Sequence, residues 1–258
     1  MKLSEIVCIY RFKNWYYYLG FILLGLILKK SIAIEIYEIL KYALVACFLL
    51  AYAYSLNDYF DKKQNRKFFI APLILVVLSF PFLNFYQLLI SSFFLILVSL
   101  YSSKKFRLKA VPIISSLSNG FGFLSLFFIG YFHSEEISLL GILFAALLFF
   151  FEMVAQFVHE IVDFEEDKRS GIMTTAIFLG ERKIRILSIC FLITTIAVAF
   201  SIWNFSKINF LFLLSNLIFS TYFILQFLSR RKIDLEFRVE YKNFGIVVGI
   251  FWVLALLL

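Results

Sequence analysis

Residues 138–158 read SLLGILFAALLFFFEMVAQFV, and residues 159–171 continue as HEIVDFEEDKRSG. The first stretch has the length and apolarity a helix needs to cross the hydrocarbon of a bilayer. The second is a dense polar cluster following directly on it. Comparable apolar runs occupy 15–28, 40–57, 68–81, 86–101, 112–132, 184–203, 209–228 and 242–258, which makes nine with the run quoted; the first and third are short. None alternates over ten-residue units, so membrane helices are favoured over a barrel. The whole chain has 258 residues, 62% of them hydrophobic and only 16% charged, and its mean hydropathy is +0.92. One soluble core could not bury that much apolar surface. An ordinary soluble enzyme and a disordered chain are excluded. Three scattered cysteines, Cys8, Cys47 and Cys190, make neither a disulfide framework nor a zinc site.

The connections between runs alternate in charge. One set carries Lys2, Arg11 and Lys13; Lys62, Lys63, Arg66 and Lys67; Lys104, Lys105, Arg107 and Lys109; Lys168, Arg169, Arg182, Lys183 and Arg185; and Arg230, Arg231, Lys232, Arg238 and Lys242. The other set holds only Lys29, Lys30, Lys207 and, at a span edge, Lys41. The positive-inside rule therefore places the N-terminus and every even-numbered exit in the cytoplasm. The expectation is an all-α, multi-pass protein of the cytoplasmic membrane, a single domain over 1–258 with nine spans. The net charge of +8 is spent on topology and is not a sign of nucleic-acid binding.

Acidic residues are scarce, and they cluster at two cytoplasmic helix ends. After the second run come Asn57, Asp58, Asp61 and Asn65. Asn57, Asp61 and Asn65 are four apart and share one face if the helix continues, with Tyr54 extending it inward. After the sixth run, Glu160, Asp163 and Asp167 recur at helical spacing, and Gln156 and Glu152 carry the stripe back into the membrane. A polar stripe at that depth faces the bundle interior or a wet cavity, because facing lipid costs several kcal/mol. Two carboxylate faces at one membrane depth suit Mg²⁺, which takes one or two carboxylates plus substrate phosphate oxygens and water. A diphosphate substrate supplies those oxygens, and Lys104, Lys105, Arg107, Lys168 and Arg169 balance its charge.

The stretch NDYFDKKQN at 57–65 resembles the first signature of the UbiA superfamily of intramembrane prenyltransferases, N-D-x-x-D-x-x-x-D. VDFEEDKRSGIMTTAIFLG at 162–180 resembles the second, and YSSKKFRLK at 101–109 resembles the family's Tyr-Ser segment with trailing basic residues. The resemblance implies a nine-helix bundle in which Mg²⁺ joins both acidic motifs to a prenyl diphosphate. Loss of diphosphate then leaves an allylic cation, which an aromatic or lipid acceptor captures. Carried over by position, Asn57, Asp58 and Asp61 match the first motif and Asp163 and Asp167 the second, while Glu160 matches a frequent acidic position before it. Tyr101, Lys104 and Lys105 would face the diphosphate, with Arg107 and Lys168 nearby. Metal ligation falls to Asn57, Asp61, Asn65, Asp163 and Asp167. Two features depart from the pattern: Asn65 stands in place of an Asp, and the stretch after the first motif is short.

The same motifs fit release of diphosphate from phosphoribosyl diphosphate onto a polyprenyl phosphate, or cyclisation of the prenyl cation. A non-catalytic lipid-binding or transport protein is the alternative of a different class. Several residues have two readings. Asn119 fits an interhelical hydrogen bond or the pocket wall, with Gly120 and Gly122 allowing close helix approach. Glu152 fits pairing with a neighbouring helix or the acceptor pocket, and His159 a donor to diphosphate or an interfacial residue. Arg11 reads as a topology anchor that, with Asn14, lies near the cavity. Tyr54 and Tyr101 abut the motifs as cation-facing rings. Trp15 to Tyr18 read as an interfacial aromatic belt, and His133, Glu135 and Glu136 as a solvated outer loop.

Overall fold

The computed structural model describes residues 9–29, 35–62, 65–133, 136–206 and 208–258. Lys2, Cys8, Lys30, Lys63, Glu135 and Lys207, all singled out above, lie outside the described residues. Among the described residues the regular structure is entirely helical: α1 (Leu19–Lys29), α2 (Ile36–Lys62), α3 (Lys67–Ser79), α4 (Phe85–Ser102), α5 (Ile114–Tyr131), α6 (Leu139–Val162), α7 (Phe164–Arg169), α8 (Thr175–Leu179), α9 (Glu181–Ser206), α10 (Phe210–Ser229) and α11 (Leu235–Leu257). Seven of these, α2, α4, α5, α6, α9, α10 and α11, are long and apolar enough to cross a membrane. The other two apolar helices, α1 and α3, are shorter, and they correspond to the two runs that are short in the sequence. The chain is an integral, multi-pass membrane protein.

Two compact units are present, Met1–Leu108 with Ser125–Glu136, and Lys109–Leu124 with Ile137–Leu258. In the first unit, α2 packs on α1, α3 and α4, and the Tyr52 hydroxyl meets Ser99 Oγ at 2.8 Å to join α2 to α4. The end of α5 lies backbone to backbone against α1. A Cβ added to Gly25 would sit 2.3 Å from the Phe127 carbonyl oxygen, and one on Gly130 2.2 Å from that of Ile22. Only glycine permits this approach.

The end of this unit away from the first acidic motif is polar and closed. Asn84 and Gln87 form a reciprocal capping box at the start of α4. Their side-chain amides also donate to the carbonyls of Phe132 and Ile129, at 2.6 and 2.8 Å. His133 lies between Glu38 Oε1 at Nε2 (2.9 Å) and the Tyr42 hydroxyl at Nδ1 (2.9 Å). It is therefore a tie between α5 and α2 and not the solvated loop residue expected from sequence.

In the second unit, α9 packs on α6 and α10, and α11 packs on α10 and α6. Fully buried rings fill the centre: Phe144, Phe212, Phe219, Phe223 and Phe237, with Phe219 and Phe223 centroids 4.7 Å apart. Leu225, Leu228 and Ile250 are exposed, as the lipid-facing side of such a helix requires. Arg185, paired with Glu181 at 2.6 Å, donates to the Arg230 and Arg231 carbonyls at 2.6 and 3.0 Å and so satisfies groups orphaned where α10 ends.

The last helix starts earlier than its apolar run. Asp234 Oδ1 accepts from the Phe237 amide at 3.1 Å and caps α11 at Leu235, seven residues before the expected 242. The added turns carry Arg238 and Glu240, and their charges are matched inside the unit: Glu240 pairs with Arg230 at 2.6 Å and accepts from the Tyr222 hydroxyl.

Candidate active site

The first acidic motif is the last turn and a half of α2. Asn57, Asp58 and Asp61 lie on the helix, but α2 ends at Lys62, so the expected shared face stops at Asp61. Asn65 is off that face. Its Oδ1 accepts from the Lys67 amide at 3.1 Å and serves the start of α3.

Asp58 and Asp61 have different surroundings. Asp58 is 2% exposed and meets Arg11 Nη1 at 3.4 Å, while the Arg11 guanidinium lies 5.6 Å from the Tyr54 ring centroid. Arg11 thus does more than anchor topology: it balances a buried carboxylate. Asp61 is exposed at the helix end. Tyr101 is half-buried near the end of α4, and Lys104, Lys105 and Arg107 are exposed in the turn that follows.

The second motif begins where α6 ends. Asp163 is the junction between α6 and α7. Its Oδ1 accepts from Arg238 Nη1 at 3.1 Å, and its Oδ2 is 3.2 Å from His159 Nδ1. That same nitrogen lies 2.8 Å from Arg238 Nη1, so it donates to Asp163 or accepts from Arg238 according to its protonation. One turn on, the Asp167 carboxyl is pushed up to about 6. Burial is the main cause, reinforced by the negative charges of Asp163, Glu160 and Glu166 and opposed by the positive charge of Lys109. Lys168 and Arg169 follow, exposed, before Gly171 ends the helix at φ +67°.

Glu160 is placed differently from its expected role. It is 2% exposed. Oε1 accepts from Ser116 Oγ at 2.6 Å and Gln156 Nε2 at 3.0 Å, and Oε2 accepts from the Ala176 amide at 2.9 Å. Both oxygens are committed to protein donors, so Glu160 does not present them to a substrate. Of the remaining stripe, Glu152 is half-buried on α6, and Asn119 is half-buried on α5. Gly120 lets α6 come close, since a Cβ there would lie 3.0 Å from Phe149 and 3.2 Å from the Met153 sulfur.

Among the described residues, no three His, Cys, Asp or Glu side chains converge into a preformed metal cage. Asp163 and Asp167 have the donor chemistry that Mg²⁺ takes, and Asp167 is raised by burial first and by the neighbouring carboxylates second.

Residues 18–244 match the model of the UbiA prenyltransferase family. The chain belongs to that family. This UbiA chain is accordingly a membrane prenyltransferase. Its fold is that of a UbiA homolog from Archaeoglobus fulgidus bound to Cd²⁺, with a TM-score of 0.81 at 16% identity over 98% of this chain and 99% of that one. The same homolog bound to GPP and Mg²⁺ gives 0.74 at 16% identity over the same shares. A digeranylgeranylglyceryl phosphate synthase gives 0.75 at 20% identity, over 99% of this chain and 97% of that one. No curated protein sequence matched the chain.

Sequence reasoning about this UbiA chain overlooked two cations beside the second motif, Lys109 and Arg238, and the hydroxyls of Ser116 and Thr175. Lys109 and Arg238 had registered only as topology charges. The Asp234 cap, with Arg238 one turn after it, is the local signal that would have extended α11 and found Arg238.

Proposed function

We propose that the protein transfers a prenyl group from a prenyl diphosphate to a small-molecule or lipid acceptor at the cytoplasmic face of the membrane, with Mg²⁺ as its cofactor. The observation that carries this reading is the Asp163–Asp167 cluster, in which burial first and the neighbouring carboxylates second lift Asp167 to about 6, with Arg238 bound to Asp163 at 3.1 Å. The GPP and Mg²⁺ bound to the Archaeoglobus fulgidus homolog support the choice of donor and metal. Asp163, Asp167 and, from the first motif, Asp61 and Asn57 would hold Mg²⁺, which supplies charge neutralisation for diphosphate as a leaving group.

The residues of the chain then divide the work. Arg238 holds Asp163 by its Oδ1, and His159 lies against Oδ2, so the two orient the carboxylate for the metal. Lys109 and the exposed Lys104, Lys105, Arg107 and Lys168 attract and orient the diphosphate oxygens. As the allylic C–O bond breaks, its electron pair leaves with diphosphate, and the aromatic faces of Tyr54 and Tyr101 favour the cation left behind by ~0.5–2 kcal/mol each. The acceptor's nucleophilic atom forms the new C–C or C–O bond and gives up a proton.

The test is diphosphate release by the purified protein in lipid, with prenyl diphosphates of several lengths and with phosphoribosyl diphosphate plus polyprenyl phosphate. Each is run with Mg²⁺ or EDTA and with an extract of bacterial or archaeal membranes as an acceptor pool. Release from a prenyl donor only with Mg²⁺ is expected, and mass spectrometry of the product identifies the acceptor. Release from the sugar donor alone, or none from any donor, overturns the proposal.

A further inference from the structure

We infer that Glu160, Ser116 and Thr175 form a buried latch that positions Asp163, Asp167 and Lys109, and so acts on the reaction without touching substrate. The inference rests on the assignment of Asp163 and Asp167 to Mg²⁺ and diphosphate. The hydrogen bonds permit only one direction of donation. The Ile113 amide donates to Thr175 Oγ1 at 2.9 Å. Ser116 has a single hydroxyl proton and gives it to Glu160 Oε1 at 2.6 Å, so the 2.6 Å contact between Ser116 and Thr175 is a donation from Thr175. The chain runs Ile113 N–H, Thr175 O–H, Ser116 O–H, Glu160 carboxylate, and Gln156 and the Ala176 amide add two more donors at the carboxylate. Every group facing Glu160 donates, and the aligned bonds polarise one another.

Three segments meet in this chain. Glu160 lies on the last turn of α6, three residues before Asp163. Thr175 and Ala176 begin α8, so the carboxylate closes the loop that carries Asp163, α7 and Asp167; the Ile172 amide ties back to the Asp167 carbonyl at 2.9 Å inside it. Ile113, held at φ +66°, leads into α5. A β-branched residue adopts that conformation only under constraint from its surroundings, and its amide is spent on Thr175. Lys109, four residues earlier on the same segment, is 8% exposed. One buried network thus joins the acidic loop to the segment that carries Lys109. Outer-shell partners of this kind typically change metal affinity when removed.

The test compares Thr175→Val, which keeps the shape and deletes the hydroxyl, with Thr175→Ser, which keeps the hydroxyl. Mn²⁺ binding without substrate, followed by electron paramagnetic resonance, and amide hydrogen exchange across 163–176 are read beside turnover. For Thr175→Val we expect metal binding weakened by about tenfold or more and faster exchange at Asp163–Gly171, with Thr175→Ser like the wild type. Ser116→Ala, which breaks the middle of the chain, should repeat the Val pattern if Thr175→Val does not fold. Unchanged metal binding and exchange in Val or Ala variants, with only a lower melting temperature, overturns the latch. If the wild type releases no diphosphate with Mg²⁺, the functional assignment fails by itself, and exchange at Asp163–Gly171 still decides whether the latch exists.

Discussion

The two adjacent-looking carboxylates of the first motif are separated by their environments. Asp58 is buried and faces Arg11, while Asp61 is exposed at the end of α2. Burial leaves Asp58 less room than Asp61 to serve a metal that keeps waters and substrate oxygens around it. Asp58→Asn should therefore keep turnover within about tenfold of the wild type, whereas Asp61→Asn, which removes a charge from the proposed metal site, should lose about 100-fold or more. Arg11→Ala should cost about 1–3 kcal/mol by removing the cation that faces the buried Asp58 carboxylate, and adding Asp58→Asn should recover part of that loss. Chemical unfolding in detergent together with steady-state rates checks all three variants; equal rates for Asp58→Asn and Asp61→Asn would reject the distinction. Spacing along the sequence marked the acidic motifs, because i, i+3 and i+4 are local geometry. It did not show that Glu160 is enclosed, because its partners Ala176 and Ser116 lie 16 and 44 residues away. Nor did it show that Asn65 turns its Oδ1 to the Lys67 amide, since Asn suits a turn as well as a ligand role.

Helices were legible where apolarity alone decides them, and less so where charges continue a helix. α6 and α10 match their apolar runs closely because lipid and a packed core both ask for the same side chains. α11 begins earlier than its run because Asp234 caps it and its polar first turns find partners. Helix contacts were legible only as a tendency: glycines in apolar runs permit close approach, but the sequence does not say which of them meet a neighbour. The structure separates them. Gly130 has the Ile22 carbonyl oxygen 2.2 Å from where a Cβ would lie, whereas Gly245 on α11 has nothing within 4 Å. Gly130→Ala should push α1 from α5 and destabilise the protein by about 1–3 kcal/mol, the range for overpacking a tight contact. Gly245→Ala should be neutral or stabilising by up to ~1 kcal/mol, since alanine is the better helix former. Thermal unfolding of the two variants side by side is the check, and equal melting temperatures would remove the close α1–α5 crossing.

At the scale of the whole molecule, helix length and connection charge together set which apolar helices cross the bilayer. α1 has 11 residues and α3 has 13, about 16 and 20 Å at 1.5 Å per residue, against about 30 Å of hydrocarbon. Short helices cross when flanking residues join them or the bilayer thins locally, at a modest cost per Å. The charge pattern favours that outcome. With the N-terminus in the cytoplasm and all nine helices crossing, the turn after α2 lies inside with Lys62, Lys63, Arg66, Lys67 and Asp61. If neither α1 nor α3 crosses, α2 carries that turn outside, against the positive-inside rule and away from the membrane face proposed for Asp163 and Asp167. The later connections return to the same sides in both cases, so Arg66 is the position that decides. In a chain whose three cysteines are replaced by serine, Arg66→Cys should react with an impermeant maleimide from the cytoplasmic side, as Lys183→Cys does, while Glu136→Cys reacts from the opposite side. Arg66→Cys labelled with Glu136→Cys instead would leave α1 and α3 on the membrane surface. It would also put the two acidic motifs on opposite faces, where they could not serve one diphosphate.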